Sequence, residues 1–296
     1  LLHRYRSPSR KVFELVNYSL FIVFSISILI PFIHVISISL SSFAAVEGNQ
    51  VSLWPVEFTL QAYEKVVTNS TFIRSFVNTV FLTVINTVLV ILVSLCCAYA
   101  LSSKYVIGRK IIFMYILIPM FISGGLIPTY LVVNGIGLNN TFWALILPGI
   151  SSAFYIIIFK NVIDQLPQEI IESAEMDGAG DYRVLFTIVL PLVLPMTMAF
   201  TIFSAVAHWN EWFGVLLYIR DNTKWTLQFQ LRDILINASL TEAMEKNMIK
   251  NKVAAPIYSE SLKMAALMVT VIPIIVVYPF LQKYFIHGVL VGAVKG

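Results

Sequence analysis

Long stretches without a charged residue set the plan of this chain. None occurs between Glu14 and Glu47, between Arg74 and Lys104, between Arg183 and Glu211, or between Lys263 and Lys283. Each stretch is long enough, at about 19 residues or more, for one helix to cross a hydrocarbon layer of ~30 Å. The gap from Lys110 to Lys160 is far longer. It is interrupted by Asn134-Gly135-Ile136-Gly137-Leu138-Asn139-Asn140, a turn-forming run. It therefore reads as two crossings joined by a tight loop. The pattern predicts an all-α membrane protein with six transmembrane helices, near 14–41, 74–102, 111–133, 141–160, 184–208 and 264–286. Residues 1–296 read as a single transmembrane domain.

Composition supports a multi-pass membrane protein. Hydrophobic residues make up 58% of the chain and charged residues 12%, and mean hydropathy is +0.83. Soluble domains are usually about 45–50% apolar and about 25% charged. The net charge of +4 does not point to nucleic acid, because the basic residues form no single patch. They sit beside the apolar runs, where they report topology. Arg4, Arg6, Arg10 and Lys11 precede the first run, and Lys104, Arg109 and Lys110 separate the second from the third. The rule that basic loops stay inside then places both termini in the cytoplasm, with loop 161–183 inside and loop 209–263 outside.

Prolines and glycines recur within the apolar runs: Pro31, Pro119, Gly124, Gly125, Pro128, Pro191, Pro195, Pro273 and Pro279. They predict kinks, and Ser123-Gly124-Gly125-Leu126-Ile127-Pro128 is the strongest candidate for a broken helix. Such a break either lines a pathway or is a packing kink, and Gly124 and Gly125 are the pathway candidates. The adjacent pair Cys96-Cys97 lies in an apolar run and has no metal spacing. His34 and His208 lack companion ligands nearby in sequence, so no metal site is expected.

Residues 164–183 interrupt the oily pattern. Asp164 and Pro167 are expected to start a short helix, since proline suits a first turn. Ile170, Ile171, Ala174 and Gly178 fall on one face and Glu169, Glu172 and Glu175 on another. Helices that lie on membranes favour Lys and Arg on the polar face. An acidic face instead suits docking into a groove on a soluble protein.

The spacing also carries a resemblance. Glu172-Ser173-Ala174, Gly178, Ile188 and Leu190-Pro191 match the EAA-x3-G-x9-I-x-LP signature of importer-type ABC transporter permeases, with Ser173 in place of the second alanine. Trp54-Pro55, Arg74-Ser75-Phe76, Asn78-Thr79, Trp209-Asn210-Glu211-Trp212-Phe213 and Glu260 to Ala265 are similar to the second permease of maltose-type carbohydrate importers, as is the tail from Gln282 to Gly296. The resemblance implies a type I ABC importer permease fold. It implies that Glu172 to Gly178 form a cytoplasmic coupling helix gripped by a motor ATPase. Asp177 and Gly178 would end that helix, and Ile188, Leu190 and Pro191 would begin the next span. Gly178→Asp is expected to crowd the turn.

The implied partners are a homologous second permease, two ATPase subunits that bind ATP and Mg, an extracytoplasmic solute-binding protein, the lipid bilayer and a sugar. The implied location is the bacterial cytoplasmic membrane. This chain itself has no Gly-x4-Gly-Lys-Ser/Thr phosphate loop and no clustered nucleophile and base, so no catalytic residue and no cofactor of its own is expected. A peptide or amino-acid permease, and an ATP-independent secondary transporter, are the alternatives. Carriers of the latter kind place ionisable groups at membrane depth, and the apolar runs hold almost none besides His34. For the sugar, Trp209, Asn210 and Trp212 at the end of the fifth run offer aromatic faces and an amide. The same residues also suit an interfacial aromatic belt.

Overall fold

The computed structural model describes residues 8–122, 124–236 and 260–293. All regular structure among the described residues is helical. Among the described residues, three uninterrupted helices are long and apolar enough to cross a membrane, and three further pairs of helices, each bent at a break, make six if each pair is one crossing. The chain divides into two compact units, residues 1–69 with 233–271, and residues 70–232 with 272–296.

The first unit opens with α1, Pro8–Ser39. It is apolar around its circumference, with Phe13, Leu20, Phe21 and Phe24 all exposed. A helix that is hydrophobic all round belongs in a core or a bilayer. Pro31 sits inside it without ending it. The serines after it fix the following chain. Ser37 Oγ donates to the Leu53 carbonyl at 2.7 Å, and Ser41 Oγ accepts from the Val56 N–H at 3.0 Å. Ser42 caps α2, Phe43–Glu47, by accepting from the Ala45 N–H. His34 Nδ1 donates to the Ser52 carbonyl at 2.6 Å, so this histidine helps to hold a loop. The short α3, Gln61–Thr68, completes the segment, with Tyr63 bonded to Ser39 at 2.8 Å.

The second unit is built on α4, Ser70–Ser102. Ser75, Thr79, Asn86, Thr87 and Ser94 are buried along it. Small polar side chains let transmembrane helices approach closely. The two apolar segments that follow α4 are both broken. The chain runs through α5, Arg109–Phe121, and α6, Leu126–Gly135, which differ in direction by 117°. The break falls where the glycine pair predicts it, and Gly125 takes a φ of +85°, which glycine adopts without penalty. The next crossing is expected as one helix over 141–160. It is instead α7, Trp143–Ile146, with a 3-10 turn Leu147–Gly149, then α8, Ala153–Ile163, bent by 44°. Pro148 and Gly149 give the physical reason, and Ser152 caps the restart by accepting from the Tyr155 N–H.

The loop helix α9, Gln168–Met176, precedes α10, Asp181–Val184. A π-type turn over Leu185–Val189, α11, Leu190–Leu192, and α12, Leu194–Trp209, follow. The two legs of this crossing meet at 84°. Pro191 and Pro195 are four residues apart, so they remove hydrogen-bond donors from one face, and a helix opens on the face that loses its bonds. The Leu190 N–H reaches back to Leu185, the wide turn typical of such a site. The fold ends with α13, Phe213–Tyr218, a helix over 227–236 (α14), and α15, Glu260–Ala293.

The core of the second unit gathers Val90, Leu95 and Ala98 of α4, Phe159 and Ile163 of α8, and Val184, Val189, Val193 and Phe200 of the bent crossing. The Phe200 ring stacks on Tyr155 at 4.6 Å and meets Phe159 edge-on at 5.0 Å. This packing is what holds α9 in place.

Candidate functional site: an exposed acidic helix and a polar segment after α12

A nine-residue helix is marginal on its own in water, so α9 must be anchored. Ile171 and Ala174 pack against the core of the second unit, as do Leu166 before the helix and Ala179 after it. Glu169 lies in the first turn, where a negative charge suits the helix dipole. The C-terminus is closed by two reverse bonds. The Gly178 N–H donates to the Glu175 carbonyl and the Ala179 N–H to the Ala174 carbonyl, both at 3.0 Å. This is a Schellman end, which needs a left-handed residue, and Gly178 supplies it with φ of +80°.

What remains is a free face. Glu169, Ile170, Glu172, Ser173, Met176 and Asp177 are exposed, Met176 at 89%. Ser173 Oγ turns back to the Ile170 carbonyl. Among the described residues, none of the carboxylates of Glu169, Glu172, Glu175 and Asp177 forms an ion pair. Glu172 and Glu175 border a small cavity of about 130 Å³ that α9 forms with Tyr99 and Lys104.

Three expectations are corrected here. Ile170 does not share the inward face with Ile171; it faces solvent. Asp164 does not start α9; it ends α8, where it pairs with Lys160 one turn back. A Cβ on Gly178 would meet nothing within 4 Å, so substitution there strains the backbone and does not crowd the turn. Ile188, Leu190 and Pro191 lie in the first leg of the bent crossing.

Trp209, Asn210 and Trp212 lie where α12 ends and α13 begins. Trp209 is buried at 9% exposure and meets Phe76 edge-on at 6.0 Å. It lines an apolar cavity of about 270 Å³ with Val80, Ile202 and Pro273, which is the setting of a packing residue. Asn210 is exposed, and its side-chain oxygen accepts from Gln228 at 2.9 Å. The Arg232 guanidinium lies 3.6 Å from the centre of the Trp212 ring, a cation–π contact. Gly124 and Gly125 are exposed with open space around them. The α6 helix that follows them packs on α13, with Tyr130 stacked on Tyr218 at 5.9 Å.

Several residues that hold this segment together were not picked out as site residues. Asn78 donates to the carbonyls of Thr223 and Trp225, and the Thr79 hydroxyl accepts from the buried Leu227 N–H at 2.7 Å. Losing that acceptor would strand a buried donor, which costs about 1–3 kcal/mol. Asn140, in the predicted tight loop, accepts from the N–H groups of Arg220 and Asp221. Asp221 in turn accepts from the Thr223 hydroxyl and N–H, which holds its carboxyl below the usual range. Glu211 closes the start of α13 by accepting from the Gly214 N–H. Residues 237–259, part of the expected outer loop 209–263, lie outside the described residues.

The family model for the inner membrane component of binding-protein-dependent transport systems matches residues 4–291. The chain belongs to that family. The permease is 38% identical over 286 residues to the polygalacturonan/rhamnogalacturonan transport system permease protein YtcP of Bacillus subtilis (strain 168), covering 97% of this chain and 99% of the relative. It is 40% identical over 268 residues to the protein LplC of the same organism, covering 90% of each. It also matches a chain in the crystal structure of a bacterial ABC transporter involved in the import of the acidic polysaccharide alginate. The TM-score there is 0.86 at 31% identity, covering 95% of this permease and 99% of that chain.

Proposed function

We propose that this permease is one of two homologous membrane subunits of an ATP-driven importer, and that its cargo is an oligosaccharide handed over by an extracytoplasmic binding protein. It crosses the bacterial cytoplasmic membrane six times with both termini inside. The α9 helix seats in a groove of an ATPase subunit, and Glu172, Ser173, Ala174, Asp177 and Gly178 form or terminate that contact. ATP and Mg are bound by two such ATPase subunits and not by this chain.

The observation that carries this reading is a short helix anchored on one face, free and acidic on the other, in a chain whose relatives include sugar-transport permeases. Its packing onto the bent crossing gives movement a route. Closure of the ATPase pair on ATP displaces α9, and the Leu185–Val193 region, already opened by two prolines, is the natural hinge. The loaded binding protein and ATP bias the same two-state equilibrium, each through its preference for one state.

The test is uptake in proteoliposomes that hold this chain, the second permease and the ATPase. Labelled oligosaccharide is presented with the binding protein outside and ATP inside. Accumulation is expected only when both are present. Accumulation without ATP would replace this reading with a secondary transporter, and accumulation of peptides or amino acids instead of sugar would replace the cargo.

A further inference from the structure

Four basic side chains surround one cavity at the edge of the second unit. Lys104 follows α4, Arg109 and Lys110 open α5, and Lys160 lies near the end of α8. The cavity has a volume of about 430 Å³ and its walls include Leu101 and Phe113. Its one carboxylate, Asp164, is paired with Lys160, whose ammonium also lies 5.6 Å from the centre of the Phe113 ring. Arg109 is committed elsewhere, since Nη1 donates to the carbonyls of Ser102 and Ser103 at the end of α4. Lys104 and Lys110 are exposed, and among the described residues neither has an acidic partner.

The depth of this cavity is set by the chain itself. Each cation stands at the boundary of an apolar segment: after 74–102, before 111–133, or at the end of 141–160. Where an apolar run that spans the hydrocarbon layer ends, the next residues meet the lipid headgroups. The α5 helix that forms one wall has no buried residue, and Met120 and Phe121, on the side of the helix that carries Lys110 and Phe113, are exposed and apolar. A cationic pocket opening onto an apolar helix face matches a phosphate with acyl chains attached. A free phosphate ion would use only the cations.

We propose that this cavity binds the phosphate headgroup of an anionic phospholipid, with Lys104 and Lys110 as its direct contacts and the acyl chains along α5. Basic pockets between transmembrane helices are a recurring form of headgroup site. Occupancy fixes the loop 103–108 beside α9, since Lys104 borders both cavities.

The experiment uses the transporter as purified from membranes with its accompanying subunits. It is placed in nanodiscs of mixed phosphatidylcholine and phosphatidylglycerol, released into detergent, and weighed by native mass spectrometry. Phosphatidylglycerol is expected to be retained over phosphatidylcholine. Lys104→Gln with Lys110→Gln should weaken retention by roughly fivefold for each lysine removed, with the melting temperature unchanged. Lys104→Arg with Lys110→Arg should keep it. Millimolar inorganic phosphate should not displace the lipid. Equal retention of the two lipids by the unaltered protein, or unchanged retention in the double glutamine variant, overturns the proposal. Displacement by inorganic phosphate would make the site one for a free anion. Loss of the ATPase subunit from the glutamine variant, with lipid retention unchanged, would make it a protein contact.

Discussion

Glu172→Lys is expected to stop ATP-driven uptake while leaving the permease folded. Glu172 is exposed, makes no ion pair among the described residues, and stands on the free face of α9. Nothing in the chain's own packing depends on it, so the melting temperature should stay where it is. An acidic docking face needs a basic surface opposite, and a lysine there sets like charge against like. Such juxtapositions cost several kcal/mol, enough for a fall of roughly tenfold or more in uptake and in ATPase activity stimulated by the binding protein. Glu172→Gln, which removes the attraction without adding repulsion, should fall between. Uptake at the normal rate in Glu172→Lys would detach this carboxylate from coupling.

Gly178→Val is the second large effect and works through the backbone. With φ of +80° and open space around the Cβ position, the penalty is conformational. A left-handed residue with a side chain costs about 1–2 kcal/mol, equivalent to roughly a 5- to 30-fold shift in population, and β-branching adds to it. That energy opposes the bonds from Gly178 to Glu175 and from Ala179 to Ala174, so α9 should unwind from its last turn. Gly178→Asn should come close to the unaltered protein, because asparagine tolerates this region. Gly178→Asp, expected from sequence to crowd the turn, should likewise be mild. Amide exchange over 172–180 reads the difference: faster exchange in Gly178→Val and near-normal exchange in Gly178→Asn.

Much of this architecture was legible because membranes simplify the code. Charge-free runs located α1, α4 and α15, with ends displaced by up to seven residues, and the pair Gly124-Gly125 marked the sharpest break. Prolines were harder to read. Pro31 leaves α1 continuous, whereas Pro191 and Pro195 act together on one face and turn the chain by 84°. A single proline removes one donor that neighbours can replace; two at a spacing of four open the same side twice. The break at Pro148-Gly149 was missed because the apolar run continues through it.

For the candidate site, periodicity found the amphipathic α9 but misassigned Ile170: the contact this short helix makes is centred on Ile171 and Ala174, and Ile170, about 100° round the helix from Ile171, falls outside it. It also gave Asp164 to the wrong helix, because an acid before a proline reads as a start as readily as a stop. The bonds of Thr79 to Leu227 and of Asn140 to Arg220 and Asp221 were invisible, since they join residues far apart in the chain and depend on how the helices pack.

The most direct measurement is a photo-crosslink from Met176. Its side chain is 89% exposed on the free face of α9, so a benzophenone amino acid can replace it without disturbing the core. In the assembled transporter, illumination should join this position to an ATPase subunit, and the adduct should fade when Glu172→Lys is added. An intact transporter that hydrolyses ATP, yet yields no ATPase adduct from position 176, would contradict the account.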